Sequence, residues 1–178
     1  MLRLFVGIAL PPALRLRLSL LCAGVPGARW VDPGNLHLTL RFIGAVDEGE
    51  ACDIDAALLR IRAPRFALTL AGAGQFGSGA GARALWIGVA ANSDLFRLHD
   101  KVERALQRAG RPPEPRRYAP HVTLARLRQA PAARLQSFLA DHSLYRADPF
   151  TVERFSLIAS HLARSGAIYE DQADYRLI

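Results

Sequence analysis

The sequence has only two cysteines in 178 residues, Cys22 and Cys52, and they do not form a C-x-x-C pair. A disulfide framework or a cysteine-rich zinc site needs more thiols at closer spacing. The H-E-x-x-H motif of zinc proteases and the G-x-S-x-G motif of serine hydrolases are absent as well. The sequence therefore favours two buried free thiols in a reducing compartment over a disulfide, and it predicts no metal site.

Long apolar runs are also missing. The first strand-like segment, residues 2–10, contains Arg3 and is followed at once by Pro11 and Pro12. It is too short to cross a membrane, and it lacks the cleavage pattern of a signal peptide. These features predict a cytoplasmic protein that has no membrane segment.

Lysine is nearly absent, since Lys101 is the one lysine among 23 basic residues. The basic residues outnumber 16 acidic ones, which gives a formal net charge of +7. A positive field of this kind concentrates polyanions such as nucleic acid near the protein. A general codon bias towards arginine accounts for the same counts, because the sequence is also rich in Ala, Gly and Pro, and composition alone does not separate the two explanations.

The order of predicted elements indicates an α+β fold. Hydrophobic residues make up 51% and charged residues 22% of the chain, which is typical of a globular protein, and we expect one domain over residues 1–178. Apolar periodicity predicts strands at 2–10, 36–43, 66–70, 84–89, 121–127, 150–158 and 168–177, and helices after Pro12 and over 47–61, 95–106 and 131–141. Because these elements do not alternate strictly, and 66–70 with 84–89 resembles a hairpin, the sheets are predicted to be mostly antiparallel.

A short motif occurs twice, as His37-Leu38-Thr39-Leu40 and as His121-Val122-Thr123-Leu124. The two copies are 84 residues apart, close to half the chain, and each lies in a predicted strand. Gene duplication is the simplest explanation. The repeat therefore predicts two pseudo-symmetric lobes, each a mostly antiparallel sheet with helices on its outer face, and an active-site groove between them.

Each copy of the motif places an imidazole and a hydroxyl on one strand face. Side chains i and i+2 of a strand emerge on the same side, so His37 points with Thr39, and His121 points with Thr123. Opening a phosphodiester requires one group that takes a proton and another that gives one. Two histidines serve both roles near neutral pH, while threonine hydroxyls donate hydrogen bonds to the phosphate oxygens. This scheme needs no metal and no cofactor.

Two other features of the sequence do not indicate a site. Residues 72–77 match G-x-G-x-x-G, but a strand rather than a helix follows them, so they predict a flexible hairpin loop that overhangs the groove and not a dinucleotide site. His99, His142 and His161 have no partner motif, and we interpret them as surface or helix positions.

With these motifs the chain resembles a known family, the two-histidine (2H) phosphoesterases, and within it the RNA 2′,3′-cyclic phosphodiesterases, which are also called 2′-5′ RNA ligases. The resemblance covers nearly the whole chain. It rests on the paired motifs and on the segments that flank them, which are Arg3 to Ile8, Arg29-Trp30-Val31, Asn35 to Gly44, Leu85-Trp86-Ile87-Gly88, Pro120 to Arg126, and Ser160, Gly166 and Tyr169 near the end.

The resemblance implies a role for each member of the site. His37 would protonate the leaving 3′ oxygen, and His121 would activate water, which leaves a 2′-phosphate. Thr39 and Thr123 would hold the phosphate. The expected substrate is an RNA end or oligonucleotide that carries a 2′,3′-cyclic phosphate, and we expect a monomer.

Two arginines are candidates for phosphate binding. Arg126 resembles the phosphate-binding arginine of the family, but strict strand alternation places it opposite His121, so the strand must twist, bulge or end there. Arg41 has the right alternation relative to His37 and less support from the resemblance. Phe5, Trp30 and Tyr169 are all candidates to stack on the terminal base, and the sequence does not choose among them.

Two further hypotheses stay open at the sequence level. The reverse reaction would join a cyclic phosphate end to a 5′-hydroxyl through a 2′-5′ bridge, with the same residues. Alternatively, the chain is a non-catalytic RNA-binding module whose affinity comes from its net charge, in which case replacing either histidine would not change binding.

Overall fold

Two antiparallel four-stranded sheets form the framework of the protein. The computed structural model describes every residue from Met1 to Ile178. The strands are β1 (Leu2–Ala9), β2 (Ala28–Trp30), β3 (His37–Val46), β4 (Phe66–Leu68), β5 (Leu70–Phe76), β6 (Ala84–Val89), β7 (His121–Leu127), β8 (Phe150–Val152), β9 (Arg154–Ala163) and β10 (Gly166–Arg176). The helices are α1 (Pro12–Ser19), α2 (Glu48–Leu59), α3 (Ser93–Arg108) and α4 (Ala132–His142).

The strand order confirms the predicted α+β fold with two lobes. The first sheet has the order β10-β9-β1-β3 and the second has the order β2-β7-β6-β5. All paired strands are antiparallel. The predicted strand at the end of the chain is β10, whereas the short edge strand β2 was not predicted, because three residues are too few to show a period.

A two-stranded ribbon, β4 with β8, joins the two halves. In this ribbon Ala67 pairs with Thr151. The two residues are 84 positions apart, which is the same separation as between His37 and His121. A residue that pairs with its own equivalent lies on the axis relating the two copies, so the ribbon marks the pseudo-twofold axis of the duplicated fold.

The helices cover the sheets, and their ends follow from local sequence. Helix α2 begins with a capping box in which Asp47 accepts from the Glu50 amide and Glu50 accepts from the Asp47 amide. Helix α3 buries one apolar face, formed by Leu95, Leu98, Val102, Ala105 and Leu106. Contacts place α2 and α3 beside each other on the first sheet and α4 on β5 of the second.

The hydrophobic core is continuous through both lobes. A single cluster of 39 buried residues includes side chains from both four-stranded sheets and all four helices. No helix of the protein combines the length and the apolar character that crossing a membrane requires. Both cysteines are free, as expected, but only Cys22 is partly buried, whereas Cys52 is exposed on α2, so the prediction of two buried thiols is wrong for Cys52.

The glycine-rich segment 72–77 is not a flexible loop, and that prediction is wrong. Residues 72–76 lie in β5, which pairs with β6 along most of its length. Gly72 has φ of +76° at a shift in the register of this pair, where a backbone bulge needs glycine. Gly74 lies under Trp86, whose ring would be 2.2 Å from a Cβ atom at that position. The glycines therefore serve a bulge and a close packing contact inside a strand.

Candidate active site

The two histidines begin the strands at which the lobes meet. His37 is the first residue of β3 and His121 is the first residue of β7. Their side chains line one groove of about 390 Å³ together with those of Thr39 and Thr123. A larger cavity of about 470 Å³ lies at the end of β1 but contains neither histidine, so the groove is the candidate active site.

Both imidazoles are held in the same way. Nδ1 of His37 lies 2.6 Å from the carbonyl oxygen of Asn35, and Nδ1 of His121 lies 2.7 Å from that of Ala119. Because a carbonyl oxygen only accepts, Nδ1–H must be the donor in both rings. In the neutral ring this leaves the lone pair on Nε2, which is the atom available for proton transfer.

The Nε2 atoms differ between the two histidines. Nε2 of His37 lies 2.9 Å from Oγ1 of Thr39. His121 has its one hydrogen bond at Nδ1, so its Nε2 is free of protein partners. An unshared lone pair suits the group that takes a proton from water, and this asymmetry agrees with the roles expected from the resemblance.

Aromatic rings support each imidazole on its side of the groove. The ring centroid of His37 lies 4.7 Å from Phe5 and 5.1 Å from Tyr169. That of His121 lies 4.8 Å from Phe76 and 6.0 Å from Trp86. These contacts restrict the rotation of the rings and exclude part of the surrounding water.

Burial lowers the pKa of both histidines. For His37, desolvation lowers the pKa, the hydrogen bond to the Asn35 carbonyl opposes this in part, and the nearby charge of His121 lowers it further. For His121, desolvation is again the main cause, the Ala119 carbonyl opposes it, and the positive charge of Arg126 adds to it. Both rings therefore favour the neutral form in the free protein.

A bulge in β7 brings Arg126 into the groove. In the pairing of β6 with β7, Leu85 lies opposite Ala125 and Trp86 lies opposite Thr123, so Leu124 is an extra residue. The insertion reverses the alternation of the side chains beyond it. Arg126 thus lines the groove, because β7 contains the bulge that strict strand alternation required for Arg126 to lie on the side of His121.

The same irregularity removes Arg41 from the groove. In the pairing of β1 with β3, Val6 lies opposite Arg41 and Gly7 lies opposite Thr39, so β3 also contains an extra residue. Arg41 consequently turns inward, where its Nε donates to Oε2 of Glu103 at 2.6 Å.

The two terminal nitrogens of Arg41 also donate to protein groups. Nη2 donates to the carbonyl of Pro112 at 2.6 Å, and Nη1 donates to the carbonyl of Phe42. The side chain is 9% exposed. Each guanidinium nitrogen of Arg41 thus already donates inside the protein, and the side chain does not line the groove with the two histidines, so its binding of substrate stays a prediction.

Of the three aromatic candidates for base stacking, only Tyr169 lines the groove. Phe5 is buried beneath His37, with 2% of its surface exposed. Trp30 packs against Phe138 of α4 at a centroid distance of 5.9 Å. Further side chains that the sequence does not predict as site residues also line the groove, which are Val31, Asn35, Phe42, Phe76, Arg83, Ala84 and Arg116.

A second internal repeat in the sequence predicts two of the aromatic residues that contact the histidines. Leu4-Phe5-Val6-Gly7-Ile8-Ala9 in β1 has the same pattern as Leu85-Trp86-Ile87-Gly88-Val89-Ala90 in and after β6. β1 pairs with β3 and β6 pairs with β7, so each copy lies beside a histidine strand. The aromatic residue of each copy contacts the histidine of its neighbour.

The groove continues into a second depression of about 290 Å³. Tyr118 and His99 stack there with ring centroids 4.0 Å apart and planes within 5°. The Tyr118 hydroxyl donates to the Thr39 carbonyl, which fixes this wall to the strand of His37. Nowhere in the protein do three or more His, Cys, Asp or Glu side chains converge as a metal ion would require.

A duplicated α+β fold with two inward-facing His-x-Thr strands defines a two-histidine phosphoesterase. Comparison with known proteins gives the family. A model of the 2′-5′ RNA ligase superfamily matches residues 15–164, and the chain belongs to this family.

Individual relatives extend this match over most of the chain. It is 39% identical over 160 residues to an RNA 2′,3′-cyclic phosphodiesterase of Aeropyrum pernix, covering 88% of this chain and 89% of that protein. It is 32% identical over 146 residues to the protein of that name from Thermotoga maritima, with 81% and 76% covered. The structure of E. coli LigT complexed with 3′-AMP aligns with a TM-score of 0.81 and 31% identity, covering 99% of this chain and 98% of that one.

Proposed function

We propose that this chain is an RNA 2′,3′-cyclic phosphodiesterase that opens the cyclic phosphate to a 2′-phosphomonoester. The observation that carries the proposal is the pair of equivalent imidazoles, each fixed through Nδ1 to a carbonyl two residues earlier, in one groove. The relatives named RNA 2′,3′-cyclic phosphodiesterase support the substrate class.

The chemistry follows from two proton transfers. Water attacks phosphorus as Nε2 of His121 takes one of its protons. The bond from phosphorus to the 3′ oxygen then breaks, and Nε2–H of His37 protonates that oxygen. The products are a 2′-phosphate and a 3′-hydroxyl, and exchange with solvent returns both rings to their starting states.

Three further side chains would stabilise the phosphate during this step. The hydroxyls of Thr39 and Thr123 would donate to the non-bridging oxygens as negative charge develops on them. Arg126 adds a positive charge on the same side as His121. No step in this scheme uses a metal or cofactor, and the assignment of the protein as a cytoplasmic monomer stays a prediction.

The direct test is to mix the purified protein with an oligonucleotide that ends in a 2′,3′-cyclic phosphate, in EDTA. We expect a 2′-phosphate product, and a fall in kcat of about 10²-fold to 10⁴-fold in His37→Ala and in His121→Ala. His161→Ala is the matched control, because His161 is exposed, lies outside the groove and makes its one side-chain hydrogen bond to Glu170. Turnover that is absent, or equal in the histidine variants and the control, would refute the proposal.

Ligation is a second candidate, because the family that contains this chain is the 2′-5′ RNA ligase superfamily. A 5′-hydroxyl would then take the place of the attacking water, so His121 would take the proton of that hydroxyl and His37 would again protonate the leaving 3′ oxygen. Offering a second RNA with a 5′-hydroxyl at high concentration tests this reaction. A 2′-5′ linked product supports ligation, whereas 2′-phosphate alone supports hydrolysis.

A further inference from the structure

Five basic side chains form a patch on the outside of the first lobe, away from the groove. They surround a depression of about 180 Å³ whose only apolar lining residue is Ile61. We call them the α3 patch, which consists of Arg60, Arg62, Lys101, Arg104 and Arg108. Arg60 and Arg62 follow the end of α2, whereas the other three lie on α3 at positions i, i+3 and i+7, which is one face of a helix.

None of the five charges is neutralised by an ion pair. Nearby arginines of the same region are paired, since Arg97 contacts Asp94 at 2.9 Å and Arg111 contacts Glu50 at 3.0 Å. Like charges at i+3 and i+4 destabilise a helix by a few tenths of a kcal/mol per pair. Asp53 lines the adjoining depression with Arg60 and Arg108 but makes an ion pair with neither, so the five cations stay available to an anionic partner.

The contacts of Lys101 and Arg62 join the two parts of the patch. Nζ of Lys101 donates to the carbonyl oxygen of Arg62. This hydrogen bond ties α3 to the segment that follows α2. The cations are therefore held around one concave surface instead of being spread along separate helices, and a concave cluster of guanidinium groups suits phosphate oxygens.

Helix α3 also connects the patch to the groove. On its other side, His99 lines the depression that continues the groove, where it stacks on Tyr118. His99 and Lys101 are two residues apart on α3, so their side chains project from nearly opposite sides of the helix. The two surfaces are therefore separated by about one helix diameter, roughly 10–12 Å. An RNA strand that extends from the groove would therefore need only a few nucleotides to reach the α3 patch.

We propose that the α3 patch binds backbone phosphates of the RNA whose cyclic end lies in the groove. The proposal rests on the proposed function and adds a second contact, which lets the protein prefer long RNA over short cyclic nucleotides. The patch contacts phosphates and not bases, so it adds affinity without sequence preference. Its single apolar lining residue is 7% exposed, which does not match the broad apolar face of a helix that binds a lipid surface.

The test uses a triple variant, Lys101→Gln with Arg104→Gln and Arg108→Gln. The control is Arg3→Gln with Arg134→Gln and Arg164→Gln, which removes the same charge from exposed residues outside the patch that make no ion pair. Two substrates with identical cyclic ends are compared, a dinucleotide and a single strand of about twenty nucleotides, long enough to span several phosphate contacts.

We expect both triple variants to turn over the dinucleotide like the unmodified protein. On the long RNA, KM rises about 10-fold in the patch variant alone. The slope of log(kcat/KM) against log salt becomes shallower by about 2, since each lost phosphate contact on a single strand contributes about 0.7. Equal behaviour of the patch variant and the control on the long RNA would overturn the proposal while leaving the proposed function intact.

A binding measurement keeps the two proposals separate. In a His121→Ala background, affinity is measured for the same strand with a plain 3′-hydroxyl, which needs no turnover. Loss of affinity in the patch variant supports the patch even if no cyclic phosphate is ever hydrolysed. If the patch variant keeps its RNA affinity and instead loses binding to phosphatidylserine vesicles, the partner is a membrane and the proposal is wrong.

Discussion

Phe42 and Arg126 occupy equivalent positions in the two halves of the groove, each five residues after its histidine and each beyond a one-residue insertion in its strand. Both side chains line the groove. The backbone is therefore close to symmetric, while the chemistry is not, because one half presents an aromatic ring where the other presents a positive charge. We expect the phosphate to bind on the Arg126 side and a nucleobase to bind on the Phe42 side. The two side chains would then fix the orientation of the substrate in a nearly symmetric groove.

Replacement of Arg126 tests the phosphate side. Arg126→Ala should lower kcat/KM by about 10²-fold. The substitution removes a charged hydrogen-bond donor from the place where negative charge develops on the phosphate oxygens. Arg126→Lys should recover only part of this loss, since lysine keeps the charge but not the planar pair of donors. Steady-state kinetics on a cyclic-ended oligonucleotide measures both.

The matched control for Arg126 is Arg128→Ala, which removes an exposed arginine two residues further along the chain. It lies outside the groove, so kcat/KM should change less than 2-fold, with that bound taken as roughly the scatter expected for surface substitutions. Equal losses in the two alanine variants would show that net charge and not position matters.

Replacement of Phe42 tests the base side. The side chain is 54% exposed and lines the groove, so its ring is accessible to a bound nucleobase. Loss of a stacking contact of about 1–3 kcal/mol should raise KM for cyclic nucleotides by about 10-fold in Phe42→Ala, with little change in kcat. Leu144→Ala removes another exposed apolar side chain far from the groove and should change neither value. A fall in kcat at constant KM would contradict stacking in the ground state.

The elements that are easiest to predict from the sequence are those whose apolar residues recur with the period of a strand or of a helix. The predicted strand 121–127 matches β7, His121–Leu127, because half-buried and buried residues alternate from His121 to Leu124, before the bulge. Helix α3 was predicted from the apolar face that it buries. β5 was missed because its glycines have no side chain to alternate, and only Trp86 on the next strand explains Gly74.

The two arginines show why a site is harder to predict than its strands. Arg41 and Arg126 were judged by alternation along their own strands. A bulge depends on how a strand pairs with its neighbour, and the sequence of one strand does not determine this pairing. The expectation that β7 must be irregular at Arg126 came from the family resemblance, and no such expectation existed for β3, so Arg41 was placed on the wrong face.

The pH profile follows from the lowered pKa of both histidines. Hydrolysis needs His37 protonated and His121 neutral, and the product of these two fractions is greatest at the mean of the two pKa values. Since burial lowers both, the optimum of kcat/KM should lie below the ordinary imidazole value of about 6.5. The profile of kcat should lie at higher pH, because a bound phosphate stabilises the protonated rings.

A variant checks the cause of this profile. Arg126 lowers the pKa of His121, so Arg126→Ala should move the limb that belongs to His121 to higher pH. The limb that belongs to His37 should move less, because its shift comes from burial, the Asn35 carbonyl and the charge of His121. An optimum of kcat/KM above pH 7 in the unmodified protein would contradict the lowered values.

The buried ion pair of Arg41 and Glu103 should contribute to stability instead of catalysis. Burial alone would raise the pKa of the Glu103 carboxyl, but hydrogen bonds from Gln107, Arg41 and the Glu114 amide outweigh it and hold the pKa below its ordinary value. Glu103→Gln leaves the Arg41 charge without its partner inside the protein. We expect the free energy of unfolding to fall by about 3 kcal/mol, measured by urea denaturation at pH 7.

An exposed pair supplies the control for this substitution, and pH supplies a second check. Glu153→Gln removes the partner of Arg65, and both side chains of that pair are more than half exposed, so the loss should stay within about 0.5 kcal/mol. A carboxyl with a lowered pKa stabilises the fold above its unfolded pKa of about 4.3 and loses this contribution as pH falls through the folded value. The gap between the unmodified protein and Glu103→Gln should therefore be complete at pH 7 and shrink below pH 4, whereas a gap that grows on acidification would show that the pair does not hold the carboxylate ionised.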